Sequence, residues 1–265
     1  MSFGSVADDY DRLRSGPADA AMDWLVPAGC AVAVDVGAGT GKLTRALLPR
    51  AGRVIAVEPD ERMRAVLQAR SPGAEALAGR GEAIPLPDAS ADGVFISSAW
   101  HWMDPDLAVP EICRVLRDGG RFGLLWTSRD DSVAWVHDLN QLREPGEQSS
   151  ERNPDLGHPA DGAPADGPQA ARSLRHAVRL PDSAPLRGEA TASFRFTRPM
   201  TADSLVAMLG TYSGLITASP AERTARLDRV RAALTERFPG DGPIDVPMRT
   251  WCWRADRVSR GTESG

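Results

Sequence analysis

The sequence of 265 residues lacks any run of about 18 or more apolar residues, the length that a membrane-spanning helix needs. Its first residues, MSFGSVADDYDRLRSG, are polar and partly acidic, and they lack the apolar core of a secretory signal. These absences predict no transmembrane helix and no secretory signal. We therefore expect a cytoplasmic protein with no membrane partner.

Cysteine is scarce as well. The three cysteines, Cys30, Cys113 and Cys252, are an odd number, lie far apart and form no C-x-x-C motif. This pattern is typical neither of a disulfide framework nor of a zinc site. We therefore expect no bound metal.

Positive charge is limited in amount and in clustering. Lysine occurs once, as Lys42, and the 31 basic side chains form no long basic run. The formal net charge is -5 and the isoelectric point is about 5.5. A nucleic-acid-binding protein usually carries a basic patch that neutralises phosphates. The composition therefore disfavours DNA or RNA as a partner and favours a small-molecule substrate.

The first half of the chain alternates short apolar runs with amphipathic segments. Helices are predicted over 42–48, 60–70 and 105–117, with Asp60 as an N-cap and Asp118-Gly119-Gly120 as a closing turn. This alternation is typical of βαβ units and predicts an α/β fold with a parallel sheet. The predicted strands lie at 31–36, 53–57, 75–78, 93–97 and 121–127.

The second half changes composition. Residues 141–185 are rich in Pro, Gly, Asp and Ser, which predicts a mobile loop or insertion. The pattern divides the chain into a core over 1–130, an insertion over 131–190 and closing elements over 191–265. The closing elements are a strand at 191–196, helices near 201–209 and 220–237, and a late antiparallel strand at 248–254. Residues 128–215 are expected to form a lid that sets specificity.

A glycine-rich loop follows the first predicted strand as Asp35-Val36-Gly37-Ala38-Gly39-Thr40-Gly41. Glycines there permit positive φ and let the backbone approach a ligand closely. Ligands of open α/β sheets bind in the crevice at the carboxyl ends of the strands. The spacing is G-x-G-x-G, because Lys42 stands where dinucleotide-binding proteins have their last glycine. This spacing disfavours a nicotinamide cofactor.

Glu58 ends the second predicted strand, 17 residues after Gly41. A carboxylate at that place can accept hydrogen bonds from both hydroxyls of a ribose, so the pair of features predicts a nucleoside-type ligand. The alternative is that Asp35 and Glu58 are ordinary turn or cap residues.

Four segments of the first half carry a family pattern, namely VDVGAGTGKLT, VIAVEPD, GEAIPLPDASADGV and EICRVLRDGGRFGLLW. They resemble successive motifs of the class I methyltransferases, and more narrowly of the methyltransferase type 11 group, which includes trans-aconitate-methyltransferase-like enzymes. The resemblance extends from about Phe3 to Trp126. It implies a Rossmann-like, doubly wound, mostly parallel sheet with a late antiparallel strand and a lid of helices and loops. It also implies methyl transfer from S-adenosylmethionine to an O, N or C atom of a small molecule, such as a secondary metabolite or a carboxylic acid.

The resemblance also implies which residues contact the methyl donor. Glycines of the loop lie against the methionine moiety, Asp35 orients its amino group through water, and Glu58 holds the ribose. An arginine, Arg80, stands where the family usually has a small or acidic residue next to the adenine site, and Ser15 replaces a common proline. The remaining implied contacts are Gly37 and Gly39 in the loop, Gly81 and Glu82 at adenine, Ser98 and Ala99 beside the methyl group, and Tyr10 and Arg14 closing over the donor.

The acceptor side is less specific. His101, within Trp100-His101-Trp102, is our candidate for substrate polarisation or general base, since an imidazole titrates near pH 6.5. The alternative is that His101 caps the next helix while the tryptophans pack beneath it. Trp100, Trp126 and Tyr212 are our candidates for lining the substrate pocket, and the alternative is that they belong to the core.

A second function stays open at this point. The same fold can bind S-adenosylmethionine without methylating, as a cyclase or a regulatory protein. A homodimer is compatible with the sequence, which does not require one.

Overall fold

The computed structural model describes residues 13–143, 178, 180–181, 183–210, 215 and 218–258. Its first half alternates strands and helices, as the apolar runs predict. The elements are α1 (Asp19–Leu25), β1 (Val32–Val36), α2 (Lys42–Leu47), β2 (Arg53–Val57), α3 (Glu61–Arg70), β3 (Ala74–Leu77), β4 (Ala91–Ser97), a short 3-10 helix (Trp100–Trp102), α4 (Pro105–Val115) and β5 (Leu116–Arg129).

The second half adds a helical layer and two long strands. They are α5 (Ala134–Arg143), β6 (Leu186–Met200), α6 (Ala202–Leu209), α7 (Pro220–Arg237) and β7 (Ile244–Arg257). The helices expected near 201–209 and 220–237 are therefore present. The predicted late strand is also present, and it is longer than its tryptophan alternation suggests.

All seven strands form one sheet in the order β3-β2-β1-β4-β5-β7-β6. β7 runs antiparallel to both of its neighbours, and the pairs from β3 to β5 are parallel. Because β6 is antiparallel to β7, β6 has the same direction as β1 to β5. This topology confirms the expected doubly wound, mostly parallel α/β sheet with a late antiparallel strand.

Local sequence explains how the helices begin. Asp60 caps α3, and its carboxylate accepts hydrogen bonds from the backbone N–H groups of Arg62 at 2.9 Å and Met63 at 3.1 Å. This satisfies two of the amides that a helix start leaves unpaired. The N-cap predicted at Asp60 is thus confirmed.

The junction between α4 and β5 differs from the prediction. α4 ends at Val115, two residues early, and β5 begins at once with Leu116. Leu116 pairs with Ala91, whereas the next pair joins Arg121 to Gly93. The intervening residues therefore bulge out of the ladder, and the predicted turn at 118–120 lies inside this bulge.

β6 also begins earlier than the alternation of Phe194 and Phe196 indicates. Its first pair joins Leu186 to Arg257, and the register shifts between Arg187 and Ala190. Gly188 lies in this irregularity with φ of +70°. A bulge breaks the period-two pattern, which is why the residues before Thr191 carry no strand signal.

Separate hydrophobic clusters cover the two faces of the sheet, and another lies under the C-terminal helices. This last cluster joins α5, α6 and α7 to the end of β6 and the start of β7 through Leu139, Leu205, Val230, Met200 and Val246. The helices therefore form a packed cap at one edge of the sheet. The division at 130 and 190 stays a prediction.

No helix among the described residues is long and apolar enough to cross a membrane.

Candidate active site

The carboxyl ends of the parallel strands bring distant residues to one edge of the sheet. The glycine loop follows β1, Glu58 follows β2, and Ser98 follows β4. In open α/β sheets this edge is where ligands bind. The structure thus places these candidates, which are up to 61 residues apart in sequence, around one crevice.

The backbone of the glycine loop requires glycine. Gly37, Gly39 and Gly41 have φ of +69°, +56° and +88°, a region that other residues rarely adopt. The N–H of Gly37 donates to the carbonyl of Val57 at 2.9 Å, which fixes the loop to β2. The loop also lies tightly against the end of β4, because a Cβ added to Gly37 would be 2.7 Å from Cβ of Ala99.

We expect Gly37→Ala to destabilise the protein by about 2–4 kcal/mol, because the added methyl meets Ala99 and the backbone is strained at positive φ. Chemical unfolding of the two proteins measures this difference. Gly119→Ala is the matched control, since Gly119 has φ of +74° but no neighbouring atom of the described residues lies within 4 Å of an added Cβ. Equal losses in both variants would show that the contact with Ala99 contributes nothing.

Glu58 accepts hydrogen bonds from two segments that border the crevice. Its side chain is almost fully buried, with 6% of the residue exposed. One oxygen accepts the N–H of Gly39 at 2.7 Å, and the other accepts the N–H of Asp60 at 2.9 Å. Each carboxylate oxygen has a second lone pair. The side chain therefore fixes the loop while retaining capacity for hydroxyl donors of a ligand.

Asp35 is a buried carboxyl with one oxygen unsatisfied. Its Oδ2 accepts the hydroxyl of Thr44 at 2.6 Å, while its Oδ1 has no hydrogen-bond partner among the described residues. Burial raises the pKa of Asp35 to about 7, with a further rise from the nearby Glu58 charge and an opposing effect of the Thr44 hydrogen bond. A cationic or N–H donor group placed beside Oδ1 would relieve this unfavourable burial.

Gly81 and Glu82 follow β3 and contact the segment after the 3-10 helix. Oε1 of Glu82 accepts the N–H of Asp104 at 3.0 Å, and the Arg80 guanidinium is 3.8 Å from the other oxygen. The Met103 side chain lies beside both Gly37 and Gly81, where a Cβ on either glycine would come within 3.3 Å of Cε of Met103. Met103 therefore lines the crevice, a role that no sequence motif signals.

Ser98 has a strained backbone at the end of β4. Its φ is +54°, although it is not a glycine, and its N–H donates to the carbonyl of Leu125 at 2.9 Å. Such strain persists only where surrounding structure imposes it, and it often accompanies functional sites. Here it turns the chain so that Ala99 lies against the glycine loop.

The three residues of the 3-10 helix occupy different environments. Trp100 is buried and its ring lies 5.5 Å from that of Phe122, in the core. Trp102 is 70% exposed, and the exposed His101 ring lies 4.9 Å from it. Asp104 is the N-cap residue of α4, so the alternative that His101 caps this helix is wrong.

Trp126 lies on β5, on the same face as Trp100. It is 8% exposed, and its indole N–H is buried with no hydrogen-bond partner among the described residues. An unpaired buried donor is costly, so this group is suited to a ligand acceptor. Arg14 is among the described residues, whereas Tyr10 and Tyr212 lie outside them.

Comparisons with known proteins agree on one family. A family model described as a methyltransferase domain matches residues 34–124. An uncharacterized methyltransferase of Mycobacterium tuberculosis is 37% identical over 257 residues, which is 96% of this chain and 95% of that protein. A malonyl-[acyl-carrier protein] O-methyltransferase of Methylococcus capsulatus is 34% identical over 133 residues, which is 46% of this chain and 48% of that protein.

The fold also has solved counterparts. A provisionally named type II methyltransferase from Anaeromyxobacter dehalogenans superposes with a TM-score of 0.65 at 22% identity, covering 92% of this chain and 97% of that one. The narrower likeness to trans-aconitate-methyltransferase-like enzymes stays a prediction. The match over nearly the whole length of the mycobacterial relative shows the family: the chain belongs to the class I S-adenosylmethionine-dependent methyltransferases.

Proposed function

We propose that this enzyme transfers the methyl group of S-adenosylmethionine to a small molecule held at the carboxyl edge of its sheet. The observation that carries the proposal is the pairing of two buried carboxyl groups around the glycine loop. Glu58 accepts the Gly39 N–H at 2.7 Å, and Asp35 has an unsatisfied oxygen beside the same loop.

The residues fit the donor. Gly39 leaves space where a side chain would otherwise stand, because the Met63 sulfur, at 3.7 Å, is the one neighbour among the described residues within 4 Å of an added Cβ. We assign Gly37, Gly39 and Asp35 to the methionine moiety, with Asp35 facing its ammonium, and Glu58 to the ribose. Following the family pattern, we assign the other parts of the donor to three pairs of residues. These are Gly81 and Glu82 at the adenine, Ser98 and Ala99 beside the methyl group, and Tyr10 and Arg14 closing over the donor.

The sulfonium of the bound donor supplies an activated methyl group. The protein must then place a nucleophile in line with that methyl group and exclude water. The helical cap formed by α5, α6 and α7 is suited to excluding water, because it packs on the ends of β6 and β7 at this edge. Trp126 and Tyr212 are our candidates for orienting the acceptor.

His101 is our candidate for removing the acceptor proton. Its ring is exposed at the start of the segment that follows Ser98 and Ala99, so it can reach a ligand in the crevice. Trp100 was expected at the acceptor too, but its burial against Phe122 favours a packing role. A pH–rate profile with an acidic limb set by an imidazole, in which activity rises as the ring loses its proton, would support His101.

The test is incubation of the purified enzyme with isotopically labelled donor and a panel of phenols, amines and carboxylic acids, read by mass spectrometry. We expect labelled product from at least one class and formation of the demethylated donor in equal amount. The relative that is named as an O-methyltransferase makes the oxygen acceptors the first to try.

Two other outcomes have distinct meanings. Tight donor binding with no transfer to any class would support the alternative of a binding or cyclase function. Calorimetry that finds no binding of S-adenosylmethionine or S-adenosylhomocysteine would contradict the proposal itself.

A further inference from the structure

A hollow of about 620 Å³ lies beside the glycine loop, within the size range of small-molecule sites. Residues 14–20 form one wall, Lys42 forms the side towards the loop, and the second half of β6 forms the other wall. The hollow therefore lies between segments that are far apart in sequence and converge only in the fold.

Cations dominate the lining of the hollow. They are Arg14, Lys42, Arg195 and Arg198, and Asp19 is the one carboxylate among the lining residues in the described part of the chain. Asp19 is itself 3.0 Å from the guanidinium of Arg50, outside the hollow. This concentration of positive charge stands out in a chain whose formal net charge is -5.

Arg195 shares its carboxylate partner with a second arginine. Asp130 lies 3.0 Å from Arg195 and 3.1 Å from Arg249, whose side chain is only 3% exposed. A buried charge depends strongly on its partner, so Asp130 is needed by Arg249. One carboxylate thus faces two guanidinium groups, and the half-exposed Arg195 retains charge and donors for another anion.

Arg198 stabilises the wall opposite. Its guanidinium donates to the carbonyl of Leu13 at 2.7 Å and to the hydroxyl of Ser15 at 3.0 Å. Ala18 is in turn attached to the sheet, since its N–H donates to the hydroxyl of Thr250 at 3.0 Å. The hollow is therefore held by direct bonds between the N-terminal segment and the last two strands.

The position of the hollow relates it to the proposed reaction. Lys42 directly follows Gly41 of the glycine loop, and β6 points in the same direction as β1. The Arg195–Arg198 segment therefore lies towards the edge where the donor is proposed to bind. Pro17, Ala18 and Phe196 add apolar surface to the same hollow, on which a carbon skeleton could rest.

We propose that this hollow binds an oxyanion, carboxylate or phosphate, carried by the methyl acceptor, so that the substrate class is anionic. The inference rests on the proposed function. Guanidinium groups hold such anions through paired, charge-assisted hydrogen bonds. The same chemistry could instead serve the carboxylate of the donor, and the experiment distinguishes the two sources.

The experiment titrates citrate and inorganic phosphate into the enzyme by calorimetry, with and without saturating S-adenosylhomocysteine. We expect Arg195→Gln and Lys42→Gln each to weaken anion binding at least about tenfold, the loss of one charge-assisted hydrogen bond. Binding of S-adenosylhomocysteine should be unchanged in Arg195→Gln. The matched control is Arg187→Gln, an exposed arginine on β6 roughly 26 Å along the strand from Arg195.

Three results would overturn the inference. They are failure of both anions to bind the unaltered enzyme, an equal loss in Arg187→Gln, and a loss of S-adenosylhomocysteine affinity in Arg195→Gln with anion binding intact. The last result would assign the hollow to the donor and leave the proposed function standing. Failure of S-adenosylhomocysteine to bind the unaltered enzyme would contradict the proposed function alone. The titrations without S-adenosylhomocysteine would still measure anion binding in the hollow.

Discussion

Replacement of Glu58 by alanine is expected to weaken binding of S-adenosylmethionine by about 5- to 150-fold, which corresponds to about 1–3 kcal/mol for hydrogen bonds to a charged group. The proposed ribose contact is lost, and the amides of Gly39 and Asp60 lose their acceptors at 2.7 and 2.9 Å. Because these amides are partly buried, unfolding should also become easier by about 1–3 kcal/mol. Calorimetric titration and chemical unfolding measure the two effects.

A pair of control variants separates the two roles of Glu58. Glu58→Gln keeps one carbonyl acceptor, so it should recover part of the stability but little of the charge-dependent donor affinity. Glu61→Ala removes an exposed carboxylate in the first turn of α3, and neither effect should appear in it. Donor affinity that is unchanged in Glu58→Ala would remove this residue from the proposed ribose site.

Much of the core follows from local pattern. β1 and β2 are apolar runs because both faces of a parallel strand are buried, and four of five residues in each are buried here. The start of α3 is predictable because Asp60 directly precedes the helical pattern, and aspartate is a preferred N-cap residue. Where a strand contains a bulge, as in β6 near Gly188, the alternation fails and the prediction begins too late.

The sequence predicts which residues are candidates for the site, but it does not predict the hydrogen bonds and contacts between them. Sequence spacing places Glu58 at the end of β2, but only the fold shows that its carboxylate already accepts two backbone amides. Met103 reaches the crevice because Gly37 and Gly81 leave space beside it, a three-dimensional coincidence without a local signal. The arginines of the hollow likewise come from segments about 180 residues apart, as the bond of Arg198 to Ser15 shows.

Binding of S-adenosylmethionine is expected to release protons near pH 6, and Asp35 is their expected source. Burial raises the pKa of Asp35 to about 7, so the carboxyl is mostly protonated at pH 6 in the ligand-free enzyme. An ammonium group placed beside its oxygen favours the ionised form and lowers the pKa. Approaching one proton per donor should therefore be released at pH 6, and almost none above pH 8. Calorimetry in two buffers with different ionisation enthalpies counts these protons.

The same raised pKa makes the stability of the ligand-free enzyme depend on pH in a definite direction. Between an unfolded pKa of about 3.9 and the folded value of about 7, the folded state binds the extra proton. The contribution of Asp35 therefore favours folding at pH 4, falls as the pH rises to 7, and stays at its lower level above that. The full change is on the order of 4 kcal/mol.

Asp35→Asn tests both consequences, because asparagine keeps an acceptor for the Thr44 hydroxyl and cannot ionise. Relative to the unaltered enzyme, the variant should gain stability as the pH is raised from 4 to 8, and its donor binding should release no Asp35 proton. Donor affinity should fall by at least tenfold at pH 8, where the unaltered carboxylate is charged. Thr40→Val, a substitution at another buried polar residue of the loop, should leave the proton count unchanged. If the asparagine variant releases as many protons as the unaltered enzyme, the donor ammonium does not lie beside Asp35, and the orientation proposed for the donor is wrong.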